Sequence, residues 1–462
     1  MTATSHSPLR SSRRSRGAAK GFTLIELMIA IALGILLSLG LVSLFGATSK
    51  TNRVQQMMAD VQDNGRFAIT QISNDLRLAS RSLMNASGYS AASPGANGAV
   101  NLAQAPNVYV AAMPFPDGSV GPPAGWTSTT ASYWPLSPAY FIKANYCSAG
   151  ACAPTAVPSY VAATGTTTAG QRVPNTDVLT VRYLNSEGWT SYRGEVAPTC
   201  AAGFLTFVTL TPAATPASAF VASNFQAGDL AMLTSSSGDM NIFKVGVAGA
   251  VLTPVVVAPY GPVPCPGSGE VKLFNFSRNF ITVTYWLALD NDPSVAGRFI
   301  PALMRTTADN TGVAPINNEL VQGVEQMTFL FGVQNAAGAV QFFNAGAVVT
   351  NSSAANCPAP PAQYVTFIPG TYETSGGNNI CLWRAVKNVE THILVNGIND
   401  LFTLTAPELV YQFNGTGALT VNGVSYNSAP APTATMPATG LKAGSMIRRE
   451  FVSLTSIRNY NP

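Results

Sequence analysis

The segment from Phe22 to Ser49, FTLIELMIAIALGILLSLGLVSLFGATS, constrains this chain more than any other. Glu26 is its only charged residue, and positions 27 to 49 form an unbroken uncharged run. About 20 apolar residues suffice for a helix that crosses a bilayer. Upstream stand Arg10, Arg13, Arg14, Arg16 and Lys20, with no acid among the first 21 residues. A basic flank before an apolar run orients the N-terminus to the cytoplasm. Everything after Lys50 is then expected on the far side of the inner membrane.

An ordinary secretory signal peptide has an apolar core of only about 7–15 residues, so this stretch is too long for one. A plain signal anchor fits the length but leaves Glu26 unexplained, because an ionisable group in a membrane segment costs a few kcal/mol. Lys20-Gly21-Phe22-Thr23-Leu24-Ile25-Glu26 resembles the class III leader of type IV pilins and type II secretion pseudopilins. The resemblance implies cleavage after Gly21 by a membrane prepilin peptidase, N-methylation of the new terminal residue Phe22, and a docking role for Glu26. The chemistry agrees with it. Gly21 offers a protease no side chain to avoid, and the cut creates an amine at Phe22. A carboxylate four residues on can pair with the amine of a neighbouring subunit, which offsets its own desolvation.

No proline occurs between Pro8 and Pro94 in a chain that has 32. Val54, Met58, Val61, Ala68, Ile72, Leu76 and Ala79 recur at helical spacing, which predicts one apolar stripe. A single helix is expected over 22–80, apolar all round in a membrane half at about 22–49 and amphipathic beyond. Gly34, Gly40 and Gly65 are its soft points. A stalk and a helix laid under a sheet are both possible for the second half; the sheet-rich sequence that follows favours the latter.

Charged residues make up only 10% of the chain, against about 25% in a typical soluble domain. The formal charge of +4 resides in the leader: without its first 21 residues, 20 basic side chains face 21 acidic ones. That balance excludes a basic surface able to neutralise nucleic-acid phosphates. With 47% apolar residues the chain also has the mass for a sizeable core. Short β-branched and aromatic runs at 178–184, 203–210, 280–288, 326–333 and 385–395 read as strands. Asp117-Gly118, Asn396-Gly397 and Asn414-Gly415 read as turns between such runs. The expected fold class is α+β and pilin-like: a long N-terminal helix packed on a mainly antiparallel β domain. The expected divisions are a removed leader at 1–21, the helix at 22–80, a loop-rich β insertion at 81–270, and a C-terminal β domain at 271–462.

Cys147, Cys152, Cys200, Cys265, Cys357 and Cys381 all follow the membrane segment, on the oxidising side for this topology. An even count without a CxxC pair favours disulfides over a metal site, although 15 connectivities are open to six cysteines. The sequential set 147–152, 200–265 and 357–381 closes three loops that do not cross.

Two further stretches carry a narrower resemblance. Glu319 to Val333 contains Gly323-Val324-Glu325 ahead of Phe331-Gly332-Val333, and Arg448-Arg449-Glu450-Phe451 opens a run that ends at Arg458-Asn459. Both, together with Trp383, are similar to PilW-type minor pilins, with Phe331 where that family usually has Tyr. A solvated strand edge or a core-rim pair is the favoured reading of Glu325 and Arg448.

Of two histidines, His6 lies in the leader and His392 stands alone. No Walker A, GxSxG or HExxH sequence occurs. Asp290-Asn291-Asp292 opens like a calcium loop, but Pro293 and the missing Glu at position 12 spoil the pattern, so it reads as a hairpin turn. No enzyme, cofactor or metal site is expected. The resemblance implies a minor pilin, held in the inner membrane as a precursor with its C-terminal domain periplasmic, then carried to the pilus and cell surface. Its partners would be the prepilin peptidase, other minor pilins and the major pilin. It would prime pilus assembly at or near the tip and support twitching motility, adhesion or DNA uptake. Two alternatives are a J-type pseudopilin of a type II secretion system and a membrane-anchored adhesin.

Overall fold

The computed structural model describes residues 23–79, 106–122, 132–136, 140–148, 150–211, 224–236, 239–267, 269–292, 295–334, 339–352, 381–401, 404, 411, 413, 440–442 and 444–457. The chain divides into a unit of residues 1–56 and a unit of residues 57–462. Helix α1, Leu24–Leu78, contributes to both.

In the first unit, Thr23 starts α1. Its hydroxyl accepts the Glu26 N–H at 3.3 Å and its carbonyl accepts the Leu27 N–H, the arrangement of a Thr-x-x-Glu cap. The few polar side chains fold back on the helix: Ser38 donates to the Gly34 carbonyl, Thr48 to Leu44 and Thr51 to Ala47. Each hydroxyl is thereby satisfied without water.

In the second unit, α1 buries Met57, Val61, Gly65, Ala68, Ile72, Ser73, Asp75 and Leu76. The stripe follows the expected rhythm from Val61 onward, but before it Met57 is buried while the expected Val54 and Met58 are only partly so, because Met57 lies against Gly397. Strands follow in the order β1 (Asn107–Val108), β2 (Met113–Phe115), β3 (Gly118–Val120), β4 (Trp134–Pro135), β5 (Ile142–Ser148) and β6 (Ala151–Ala153). Next come β7 (Val178–Leu184), β8 (Trp189–Thr190), β9 (Val196–Ala201), β10 (Phe204–Leu210), β11 (Leu230–Ser235), β12 (Met240–Ala248), β13 (Val251–Val255) and β14 (Val271–Asn275). A helical turn, α2 (Phe276–Asn279), leads to β15 (Phe280–Asn291), β16 (Phe299–Ala308), β17 (Ile316–Gln322), β18 (Val324–Gln334) and β19 (Val340–Phe343). Helix α3 (Ala345–Asn351), a 3-10 turn at Cys381–Ala385, β20 (Val386–Asn396) and β21 (Arg448–Ser456) complete the described elements.

These strands form a mainly antiparallel assembly. A six-stranded sheet runs β17-β16-β15-β7-β5-β6, and a four-stranded sheet runs β19-β18-β20-β21. The six-stranded sheet thus draws strands from both sides of residue 270. A nine-stranded sheet, with the path β8-β14-β11-β12-β13-β10-β9 and with β1 and β4 attached, is built from residues 107–275.

The main core explains the α+β architecture. Val61, Ala68, Ile72 and Leu76 of α1, with Ala79 just after it, pack with Val181, Tyr183, Val283 and Tyr285 of the six-stranded sheet and with Met327, Phe329, Val389 and Ile393 of the four-stranded sheet. Each large apolar side chain removed from water contributes about 1.5–3 kcal/mol, so a helix with this stripe is held by the sheets. The opposite face of β15 is also covered, Trp286 and Ala288 packing with Val161 and Val178. That is why β7 and β15 read as continuous apolar runs rather than as alternation. The nine-stranded sheet has its own two cores. One is built on Trp134, Met232, Ile242 and Phe274, the other on Leu233, Phe243, Val245 and Leu273.

Candidate assembly interface

The apolar half of α1 shows its side chains to the outside all the way round. Leu24 is 77% exposed, Val42 70% and Phe45 71%, which is the reverse of a soluble helix with a buried stripe. By length and composition this helix can cross a membrane. Glu26 lies in its first turn and is exposed. Gly21 and Phe22, the cleavage and methylation residues expected from the leader, lie outside the described residues.

The other half of α1 is fixed by polar contacts as well as by its stripe. Asp75 is buried and accepts hydrogen bonds from the Tyr183 hydroxyl at 2.7 Å and from the Tyr285 hydroxyl. Arg305 closes the group, its Nε donating to Asp75 at 2.8 Å and its Nη2 at 3.3 Å. The three partners come from β7, β15 and β16, which are neighbours in the six-stranded sheet. Burial first, and the Asp75 charge second, push the Tyr183 and Tyr285 hydroxyls well above the usual tyrosine range. Both therefore remain donors at any physiological pH.

Further along α1, a seam forms with β21. The Ser73 hydroxyl accepts from the Thr455 hydroxyl at 3.0 Å. A Cβ on Gly65 would lie 2.3 Å from the Phe451 ring, so the ring occupies the space that any other residue at 65 would need.

Several described residues that carry the narrower resemblance serve the four-stranded sheet. Glu325 and Arg448 form a buried bidentate pair, Nε donating at 2.6 Å and Nη2 at 3.2 Å. Their side chains are only 2% and 1% exposed, which replaces the expected solvated or rim setting. The reason is coverage: the Arg448 guanidinium also lies 5.5 Å from the Tyr411 ring. Phe331 meets Trp383 edge to face at 4.8 Å. Gly323 has φ +85, and a Cβ there would strike the Asn396 carbonyl at 2.6 Å. That is the physical need for glycine between β17 and β18. Arg458 and Asn459 lie outside the described residues.

His392 sits on β20 and is nearly buried, with Nδ1 2.8 Å from Glu450 and Nε2 3.0 Å from Glu390. Each ring nitrogen meets a carboxylate, which fixes the orientation of the ring. Asp290 accepts from Gln322 Nε2 at 2.9 Å. Asp292 and Asp400 both accept from Arg298, so a guanidinium stands where a calcium loop would hold its ion. Among the described residues no group of His, Cys, Asp and Glu is placed to hold a metal.

Among the described residues two disulfides are formed. Cys147–Cys152 spans directly paired positions of the β5–β6 hairpin, and Cys200–Cys265 ties β9 to the segment after β13. Cys357 and the Cys381 side chain lie outside the described residues, as does the turn at Asn414-Gly415. Next to the first bridge, Asp177 accepts the Cys147 N–H at 3.1 Å and the Phe329 N–H at 3.0 Å. It thereby joins β5 to β18, across the two sheets. Full burial pushes its carboxyl up to about 7, against the opposing effects of both N–H donors and Arg172.

Neither Asp75 nor Asp177 is singled out by the sequence reading. Asp75 had a signal: it lies three residues after Ile72 and four before Ala79, on the apolar stripe where an acid needs a buried partner. Asp177, in Pro174-Asn175-Thr176-Asp177, resembles any surface turn.

Comparison with known families bears on the same regions. Residues 285–459 match the family model of PilW, type IV pilus-assembly protein W, from Tyr285 through Glu325, Trp383 and Arg448. Residues 16–42 match the prokaryotic N-terminal methylation motif. Over residues 285–459 the chain is similar to the PilW family. The two matches together support involvement in type IV pilus assembly, with a class III leader at the N-terminal end. The methylation motif implies processing by a prepilin peptidase and a membrane-anchored precursor. No curated protein and no solved structure matches the chain. The PilW match leaves out the nine-stranded sheet, so that part of the chain is described by its own contacts alone.

Proposed function

We propose that this chain is a priming subunit incorporated at or near the tip of a type IV pilus, supporting twitching motility, adhesion or DNA uptake. In this reading the precursor lies in the inner membrane with its N-terminus cytoplasmic and its β domain periplasmic. Prepilin peptidase cuts after Gly21, Phe22 is methylated, and Glu26 pairs with the amine of a neighbouring subunit. The partners are other minor pilins and the major pilin.

The observation that carries the reading is the exposed apolar surface of α1 with Glu26 as its sole charge. Lipid covers such a surface before assembly, and the helices of other subunits cover it afterwards. Small residues, Ala32, Gly34, Ser38 and Gly40, allow close helix approach without a large hydrophobic gain between lipid and bundle. The β domain, held to α1 through Asp75, travels with it. The tip position is tested by labelling isolated pili with gold-conjugated antibody against the β domain. Gold at one end of the fibre is expected; gold along the whole length contradicts it.

A further inference from the structure

The guanidinium of Arg172 lies against both sulfurs of the Cys147–Cys152 bridge. Nη1 donates to Cys147 Sγ at 3.5 Å and Nη2 to Cys152 Sγ at 3.4 Å. Nη1 also donates to the Thr176 carbonyl at 3.1 Å. The backbone fixes this pose: Arg172 N–H donates to the Ala163 carbonyl at 2.9 Å, and Arg172 pairs with Ala288 of β15. Arg172 is only 6% exposed, and burial holds its guanidinium below the usual arginine range. The acid that acts on it, Asp177, keeps its proton to about pH 7. A buried cation without a fully charged partner is costly. Here a neutral disulfide stands where a counter-ion would lie.

A thiolate at Cys147 would supply the missing anion, and a neighbouring arginine makes a sulfur a better leaving group in exchange with a thiol. The two sulfurs differ in access, Cys147 being buried and Cys152 half-buried. The hairpin has ties besides the bridge. Tyr146↔Ala153 and Ser148↔Ala151 pair on either side of it. Asn145 Nδ2 donates to the Pro154 carbonyl at 2.7 Å and to the Ala156 carbonyl at 3.0 Å. The two sulfurs therefore stay opposite one another when the bridge opens, ready to close again. Cys200–Cys265 is the contrast. It joins residues 65 apart rather than 5, and its Cys200 is exposed. Among the described residues no cationic side chain donates to either of its sulfurs.

We infer that Cys147–Cys152 is a redox-active site, opened reversibly by a dithiol, with Arg172 as the positioning residue that holds the Cys147 thiolate. In the first step a thiolate of the dithiol attacks Cys152 Sγ. A bond forms between those two sulfurs, the Cys147–Cys152 bond breaks, and its electron pair leaves on Cys147 beside Arg172. In the second step the other sulfur of the dithiol, as its thiolate, attacks the first. The dithiol closes to a disulfide and Cys152 is released, taking up a proton. Two electrons pass from the dithiol to the bridge. Of the dithiol's two protons one goes to Cys152 and the other to solvent, while Cys147 stays ionised. The Cys147 N–H is bonded to Asp177, which also holds the Phe329 N–H of β18. The site thus lies where the six-stranded and four-stranded sheets meet.

The test equilibrates the full-length, detergent-solubilised chain with reduced and oxidised dithiothreitol over a range of ratios. After acid quenching and denaturation the thiols are alkylated, and mass spectrometry of the cysteine peptides gives the midpoint of each bridge. Cys147–Cys152 is expected to open at a reduced-to-oxidised ratio at least tenfold lower than Cys200–Cys265, although Cys200 is the more exposed. Circular dichroism at that midpoint is expected to keep its β-sheet signal. Arg172→Gln is expected to raise the Cys147–Cys152 midpoint tenfold or more, and Arg172→Lys, which keeps a cation, to raise it less. An equal or higher midpoint for Cys147–Cys152 in the natural chain overturns the inference, whether or not either variant folds. So does loss of the β-sheet signal as that bridge opens. A midpoint that Arg172→Gln leaves unchanged, or that Arg172→Lys moves as far, overturns it as well.

Discussion

The carboxylate of Asp75 on α1 accepts a hydrogen bond from the hydroxyl of Tyr285 on β15, although the two residues are 210 apart in sequence. With Tyr183 and Arg305 on the adjacent strands, the contact pins a helix to a sheet at one depth and one rotation. Apolar stripes alone leave a helix free to slide by small steps, because hydrophobic contact is non-directional. A buried, hydrogen-bonded acid does not allow that.

Replacing Asp75 by Ala leaves the Arg305 charge and two tyrosine hydroxyls without their acceptor. Breaking a buried pair from one side costs about 3–5 kcal/mol, while Tyr285→Phe, which removes a neutral hydroxyl shared between Asp75 and the Gln71 carbonyl, costs about 1–2 kcal/mol. Thermal unfolding of the detergent-solubilised chain measures both. Equal and small losses contradict the pinning role.

Gly65→Ala forces the Phe451 ring from its place at the helix surface. Overpacking of this kind costs about 1–3 kcal/mol. Phe451→Leu in the same chain is expected to recover most of that loss. Additive losses in the double variant show that the ring and residue 65 do not share the space.

Asp177 gives the fold a pH dependence of unusual sign for an acid. Its carboxyl keeps its proton to about pH 7 in the folded chain, against an ordinary aspartate value of 3.8. Between those values the folded state binds the extra proton, so stability falls as pH rises from about 4 to about 7. A difference of about 3 pH units corresponds to about 4 kcal/mol. Urea midpoints at pH 5 and pH 7.5 are expected to show a smaller fall in Asp177→Asn than in the natural chain. Parallel profiles contradict the assignment.

Glu26→Ala is expected to leave cleavage and methylation intact while lowering incorporation into fibres about tenfold, which corresponds to about 1.4 kcal/mol of lost docking energy. Quantitative blotting of sheared pili against whole cells measures it. Normal incorporation removes the docking role from Glu26.

The helix and the leader were legible because each rests on local chemistry: an uncharged run, a basic flank, the Gly21-Phe22 pair, and a stripe from Val61 to Ala79. Strands such as Val178–Leu184 and Val386–Asn396 were legible from their β-branched content. What was not legible was how they meet. The pairing of β7 with β15 crosses about a hundred residues, and no local pattern records it. Of the nine-stranded sheet only the strand at 203–210 is legible within a loop-rich β insertion, since other strands are interrupted by residues such as Pro198 and Pro254 and carry few charges to mark an outer face. Glu325 and Arg448 were read as a solvated or rim pair, because nothing near either in sequence announces that Tyr411 covers them.

Mass spectrometry of the N-terminus of the chain recovered from sheared pili tests the central claim most directly. The account predicts a chain beginning at N-methyl-Phe22. A chain that retains Met1, or one cut beyond residue 40, contradicts it.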